Sequence, residues 1–265
     1  MISRLASLLA VAALVAACSP ATTVTGKAGG NAILVYAAAS LKRPMTAAKA
    51  AYEAANPGTT VTVSTDSSSA LEAKIEQGAP GDVFLSADTT NPQKLVDKRL
   101  ASGAVVPFAA NVLTIIVPTA NAAAVRTPAD LARAGVKVIA AGDKVPITTY
   151  SQQLVANLAK AQGYPTDFAA RYAANVVSKE DNVAAVVTKI ELGEGDAGIV
   201  YVTDARSSSK VSTIDVPPEA NVRATYGGVA IASAPNEAGG AAFLAWLVGA
   251  AGQATLASFG FLPPH

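Results

Sequence analysis

Two serine-bearing junctions constrain this chain more than any other feature. Ala37-Ala38-Ala39-Ser40-Leu41 follows the apolar run Ile33-Leu34-Val35-Tyr36, and Ser67-Ser68-Ser69-Ala70-Leu71 follows Val61-Thr62-Val63. Each run reads as a strand, and each junction leads into an amphipathic helical stretch. Where a strand ends and a helix begins, unpaired backbone N–H groups meet the positive end of a helix dipole, a setting that suits an anion. Two such junctions require an α/β lobe and point to a site that wraps a small oxyanion. Ser69-Ala70-Leu71-Glu72 has the pattern of a capping box, which assigns Ser69 to the helix start and leaves Ser68 free.

The alternation continues along the chain. Strands are predicted at 34–38, 61–64, 82–86, 112–117, 136–140, 174–177, 197–202, 211–215 and 225–231. Helices are predicted at 44–55, 70–77, 92–98, 128–133, 149–161, 168–173, 182–192, 238–249 and 253–259. Such alternation predicts parallel sheets covered by helices. A single sheet of that many strands is unusual, so two lobes are expected. The apolar segment 241–251, with Trp246 and flanking glycines, reads as a buried helix rather than a membrane span.

The amino terminus predicts the compartment. Residues 5–15 form an uncharged Leu/Ala/Val run after Arg4, the length of a secretory h-region, so 1–17 reads as a signal peptide. Val15-Ala16-Ala17 precedes the only cysteine, Cys18, a pattern that resembles the lipobox of bacterial lipoproteins. Cys18 is therefore expected to carry lipid, with 18–31 as a flexible tether and the protein held outside the cell membrane. One cysteine also excludes an internal disulfide. A formal net charge of +1 leaves no basic footprint for nucleic acid.

Enzyme motifs fail on context. Gly193-Glu194-Gly195-Asp196-Ala197-Gly198 spells G-x-G-x-x-G but follows a helix and precedes a strand, the reverse of the dinucleotide-binding order. Ser207 and Lys210 spell S-x-x-K within a polar loop that lacks the partner motifs. An envelope enzyme built on that pair is the alternative class of reading. The sole histidine, His265, ends the chain, which disfavours a Ser-His-Asp triad or a histidine-rich metal site.

Several segments, in order, resemble the periplasmic molybdate-binding proteins of ABC transporters. Val35-Tyr36-Ala37-Ala38-Ala39-Ser40-Leu41 resembles the family's opening signature, and Ser67-Ser68-Ser69-Ala70-Leu71 its SSS-x-L segment. The run from Gly78 to Asp88 resembles GAPxDxFxSAD, and Gly142-Asp143-Lys144-Val145-Pro146 a shortened GDPxxVP turn. Glu180-Asp181-Asn182-Val183 resembles E-D-V with Asn182 inserted, and the run from Gly198 to Ala205 resembles GIVYxTDA. Phe259-Gly260-Phe261 stands where the family has YGF.

The resemblance implies an α/β, two-lobed type II periplasmic binding protein fold with mixed, mostly parallel sheets. Residues 32–111 with 225–265 would form one lobe and 112–224 the other. It implies a site for molybdate, and tungstate with it, formed by the hydroxyls of Ser40, Ser68 and Tyr201 and the backbone N–H groups of Ile147 and Val183. Thr148 and Asn182 are the neighbours that a one-residue shift would bring forward. The oxyanion would be held by hydrogen bonds alone, without a protein–metal ligand and without a cofactor. The implied partners are an ABC permease and its cytoplasmic ATPase, with the receptor a monomer and no catalytic activity. Sulfate or another tetrahedral oxyanion is the alternative ligand, because such donors do not name the central atom. Asp66, Asp143 and Asp181 are expected to turn away from the anion, and Lys42 and Arg43 to lie on a solvated helix face.

Overall fold

The structure, a computed structural model, describes residues 31–264. The signal-peptide, lipobox and Cys18 expectations, and His265, lie outside the described residues.

Two five-stranded sheets organise the molecule. In the first, β1 (Ala32–Ala38) pairs in parallel with β2 (Thr60–Asp66) and β3 (Val83–Ser86). Two antiparallel neighbours complete it, β10 (Ala224–Ile231) beside β3 and β4 (Ala101–Asn111) at the edge. In the second, β6 (Val138–Ala141) pairs in parallel with β7 (Val176–Glu180) and β8 (Ala197–Tyr201). There β5 (Leu113–Pro118) runs antiparallel to both β8 and β9 (Val211–Ile214).

Helices α1 (Lys42–Ala55), α2 (Ser68–Glu76) and α3 (Thr90–Asp97) serve the first sheet. Helices α4 (Pro146–Leu158), α5 (Phe168–Asn175), α6 (Val183–Glu191) and the single turn α7 (Val202–Ala205) serve the second. The chain closes with α8 (Glu237–Val248) and α9 (Ala250–Ser258), bent by 65° at Gly249. Phe243, Leu244 and Leu247 on α8 are buried, as expected of a core helix. Among the described residues no single helix is long and apolar enough to cross a membrane.

The chain passes between the sheets at two places. Val112 alone separates β4 from β5, and residues 215–223 lead from β9 back to β10. Asn221 ties these crossings together. Its Oδ1 accepts from the Leu113 N–H at 3.0 Å and its Nδ2 donates to the Leu113 carbonyl at 2.9 Å, so a side chain stands in for a strand partner.

Four expectations are corrected. The sheets are mixed, but parallel pairings are no majority, because β4, β5 and β10 carry the chain between sheets without a covering helix and so run back against their neighbours. Strand β4 was not predicted: Gly103, with φ +91, and Pro107 interrupt its pattern, and both are tolerated on an edge strand with register shifts. Ser69 is not the cap of α2. Ser67 holds that position with extended backbone, accepting from the Ala70 N–H at 3.4 Å, while Ser69 lies inside the helix. Glu72, the other half of the supposed capping box, is buried and lies 3.7 Å from Lys94 instead. Helix α4 also starts three residues earlier than predicted, with Pro146 first, where a missing N–H costs least.

Candidate functional site

The strands of both sheets deliver their carboxyl ends, and the helices that follow deliver their first turns, to one small cavity. After β1 the chain makes a 3₁₀ turn, Ala39–Leu41, that buries Ser40. The Ser40 hydroxyl lies 3.0 Å from that of Tyr226 on β10. After β2, Ser68 opens α2 and is 1% exposed, its Oγ accepting from the Ala87 N–H at 3.0 Å. An accepting hydroxyl keeps its own proton to give, so Ser68 retains a donor, and Ser40 retains one when Tyr226 is the donor of their shared bond.

The second sheet supplies backbone donors. Ile147 is the second residue of α4, and Val183 is the first of α6, behind an Asn182 cap that accepts from the Ala185 N–H at 3.1 Å. Among the described residues neither the Ile147 nor the Val183 N–H has a partner, as expected in a first helical turn. Thr148, the neighbour of Ile147, is spoken for. Its N–H donates to Val145 at 2.9 Å and its hydroxyl bonds the carbonyls of Ala141 and Gly142.

Tyr201 ends β8, 1% exposed, with its ring edge-to-face against Tyr226 at 5.6 Å and Tyr150 at 6.3 Å. Its hydroxyl is buried without a hydrogen-bond partner, one of only two such side-chain atoms among the described residues. Buried tyrosine hydroxyls normally find a partner, and Tyr201 is one of the residues lining the cavity. Burial raises Tyr201 and Tyr226 well above the ordinary tyrosine range, so both stay protonated.

Ser40, Ser68, Ile147, Val183 and Tyr201 thus line one cavity, together with Ala38, Ala39, Ala87, Val145, Pro146 and Asn182. Its volume is about 10 Å³, the room of a single water. No charged side chain lines it. Asp66 accepts from the Ser67 N–H and pairs with Lys74 at 3.1 Å, Asp143 pairs with Lys179, and Asp181 is exposed. All three turn away, as expected. Lys42 and Arg43 are exposed and border an adjoining chamber. The arrangement offers neutral donors from two sides and no counter-charge, which satisfies the lone pairs of a compact anion and gives a protonated ligand no carboxylate to donate to.

Three contributors were not singled out from the sequence. Tyr226 steadies Ser40 from 186 positions away, the Ala87 N–H steadies Ser68, and the Ser67 cap turns Ser68 inward. Only the cap leaves a local signal, in the serine run before α2.

Residues 33–262 match the family described as bacterial extracellular solute-binding protein. The molybdate-binding protein ModA of Mycobacterium tuberculosis is 33% identical over 264 residues, covering 98% of this chain and 97% of that protein. This chain belongs to the bacterial extracellular solute-binding proteins. Another relative, the molybdate-binding protein ModA of Escherichia coli, is 27% identical over 93% of this chain and 95% of its own. Among solved structures, the Azotobacter vinelandii periplasmic molybdate-binding protein superposes with a TM-score of 0.72 at 21% identity, over 88% of this chain and 100% of that one. The sulfate-binding protein SubI of Mycobacterium tuberculosis gives 0.78 at 20% identity, over 88% and 87%. At those identities the likeness speaks to the fold, which is that of periplasmic binding proteins. In this solute-binding protein the Ser207 hydroxyl donates to the Asp204 carbonyl at 2.6 Å, closing the α7 turn.

Proposed function

We propose that this solute-binding protein captures molybdate, and tungstate with it, in the cavity between its two sheets and delivers it to an ABC permease driven by a cytoplasmic ATPase. The observation that carries the reading is the partnerless, buried hydroxyl of Tyr201, a residue that lines a cavity whose other candidate donors are two serine hydroxyls and two free N–H groups. A tetrahedral dianion supplies the acceptors that those groups lack. The naming of molybdate in relatives across nearly the full chain favours it over sulfate.

In this reading Ser40, Ser68 and Tyr201 donate from hydroxyls, and Ile147 and Val183 from the backbone. Residues 32–111 with 225–265 form one lobe and 112–224 the other, in keeping with strand membership of the sheets. Donors from both lobes reach one anion only when the lobes are closed, so binding favours closure and the closed form docks on the permease. The receptor acts as a monomer without catalysis, exported and anchored through lipid on Cys18.

Thermal unfolding with molybdate, tungstate, sulfate and phosphate in turn tests this. A ligand that binds only the folded state stabilises it by RT ln(1 + [L]/Kd) and raises the midpoint. Molybdate and tungstate should raise it most and phosphate least. A shift with sulfate and none with molybdate overturns the reading.

A further inference from the structure

Besides the Tyr201 hydroxyl, the other buried side-chain atom without a partner among the described residues is Oδ2 of Asp204. Solute capture as described makes no use of it. Asp204 lies one turn beyond Tyr201, on α7, and lines a chamber of about 510 Å³ that shares Ala39 and Ser40 with the anion cavity. The chamber walls come from both sides of the cleft: the start of α1 and the segment after α9 on one, α6 and α7 on the other.

The surroundings of the carboxyl are sparse. Of the elements packed on α7, β5 and β9 bring no titratable side chain, β8 brings Tyr201, and α6 brings Glu191. Lys189 of α6 is already held by Glu180 and Glu194. Across the chamber stand Lys42 and Arg43, Arg206 follows α7, and Tyr226 of β10 lies near enough to feel the Asp204 charge. Among the described residues none of these cations forms an ion pair with Asp204. A buried carboxylate with no cation bonded to it favours its neutral form, and burial raises Asp204 to about 7, opposed only by the Tyr201 backbone N–H.

We propose that Asp204 takes up a proton from solvent, through the chamber, as the oxyanion binds, so that retention of the anion is linked to pH. The proton ends on Oδ2, the oxygen that has no partner. A dianion beside Ser40 and Tyr201 opposes a second negative charge one turn away in the same low-dielectric wall, so bound anion and ionised Asp204 disfavour each other. By linkage, the anion raises the carboxyl's proton affinity, and rising pH weakens the anion. The proposal rests on the oxyanion reading of the site and adds the proton as a second ligand.

Calorimetric titration of molybdate into the full chain, in two buffers of different ionisation heat at pH 6, 7.5 and 9, tests it. Uptake of a fraction of a proton per anion is expected near pH 7.5, with affinity falling between pH 6 and 9 by up to about tenfold per pH unit. Asp204→Asn should bind with no proton uptake and a flat profile. Binding by the unaltered protein without buffer dependence overturns this proposal and leaves the oxyanion reading standing, as does unchanged uptake in Asp204→Asn. Absence of binding to molybdate, tungstate or sulfate at every pH overturns the oxyanion reading, and this proposal with it. Should Asp204→Asn fail to fold, the proton count of the unaltered protein decides.

Discussion

The hydroxyls of Ser40 and Tyr226 lie 3.0 Å apart although 186 positions separate them. If Tyr226 donates, Ser40 keeps its own proton for an anion and its rotamer is held from behind. Tyr226 also packs edge-to-face with Phe108, Tyr201 and Phe261, contacts that a phenylalanine preserves. Tyr226→Phe should therefore fold normally and lose about tenfold in molybdate affinity, the scale of one hydrogen bond, with Ser40→Ala losing at least as much. Titration calorimetry on both variants checks this, and unchanged affinity in Ser40→Ala would remove that serine from the donor set.

Tyr201→Phe separates binding from stability. Its hydroxyl has no partner within the protein, so deleting it leaves nothing unsatisfied. The urea midpoint without ligand should stay unchanged or rise slightly, while affinity falls roughly tenfold to a hundredfold, as for a hydrogen bond to a charged acceptor. A lowered midpoint would show that the hydroxyl supports the fold.

The serine run before α2 gives a paired test. Ser67→Ala removes the cap and should cost about 1 kcal/mol in urea unfolding. Ser69→Ala, inside the helix, should change stability by less than about 0.5 kcal/mol. The reverse order would restore the capping-box assignment.

That run also shows how far the sequence could be read. The lettering Ser69-x-x-Glu72 satisfies a capping box, but the competition among three serines is decided by backbone angle and by the burial of Glu72 near Lys94, both tertiary facts. The strand-to-helix junctions were legible because β-branched runs and helix periodicity are local signals. Ile147 and Val183 left no mark of their own, since a backbone donor has no residue type, and only the resemblance brought them forward. Tyr226 and Asp204 were illegible for another reason. One matters through a partner 186 positions away, the other through the partner it lacks.

Asp204 also predicts how the unliganded protein responds to pH. Its folded-state value near 7 stands above the usual 3.8 because the charged form is buried. The unfolded chain therefore releases this proton first as pH rises. The stabilisation is complete below about pH 4 and is lost between there and about pH 7, by an amount on the order of a few kcal/mol. Urea midpoints of the protein and of Asp204→Asn, compared from pH 4.5 to 8, should differ in slope, with the variant flatter. Parallel slopes would place the carboxyl in contact with water.

Two of the five proposed donors are amide groups of first helical turns, Ile147 and Val183, and no substitution to alanine deletes an amide. A scan of side chains would map only the hydroxyl half of the site and would score the other half as tolerant. The same property separates grip from girth. Replacing Val145 or Ala87 with other residues would alter the room inside while leaving the main-chain donors in place, so a new oxyanion preference could arise by reshaping the walls, without any new bond to the ligand.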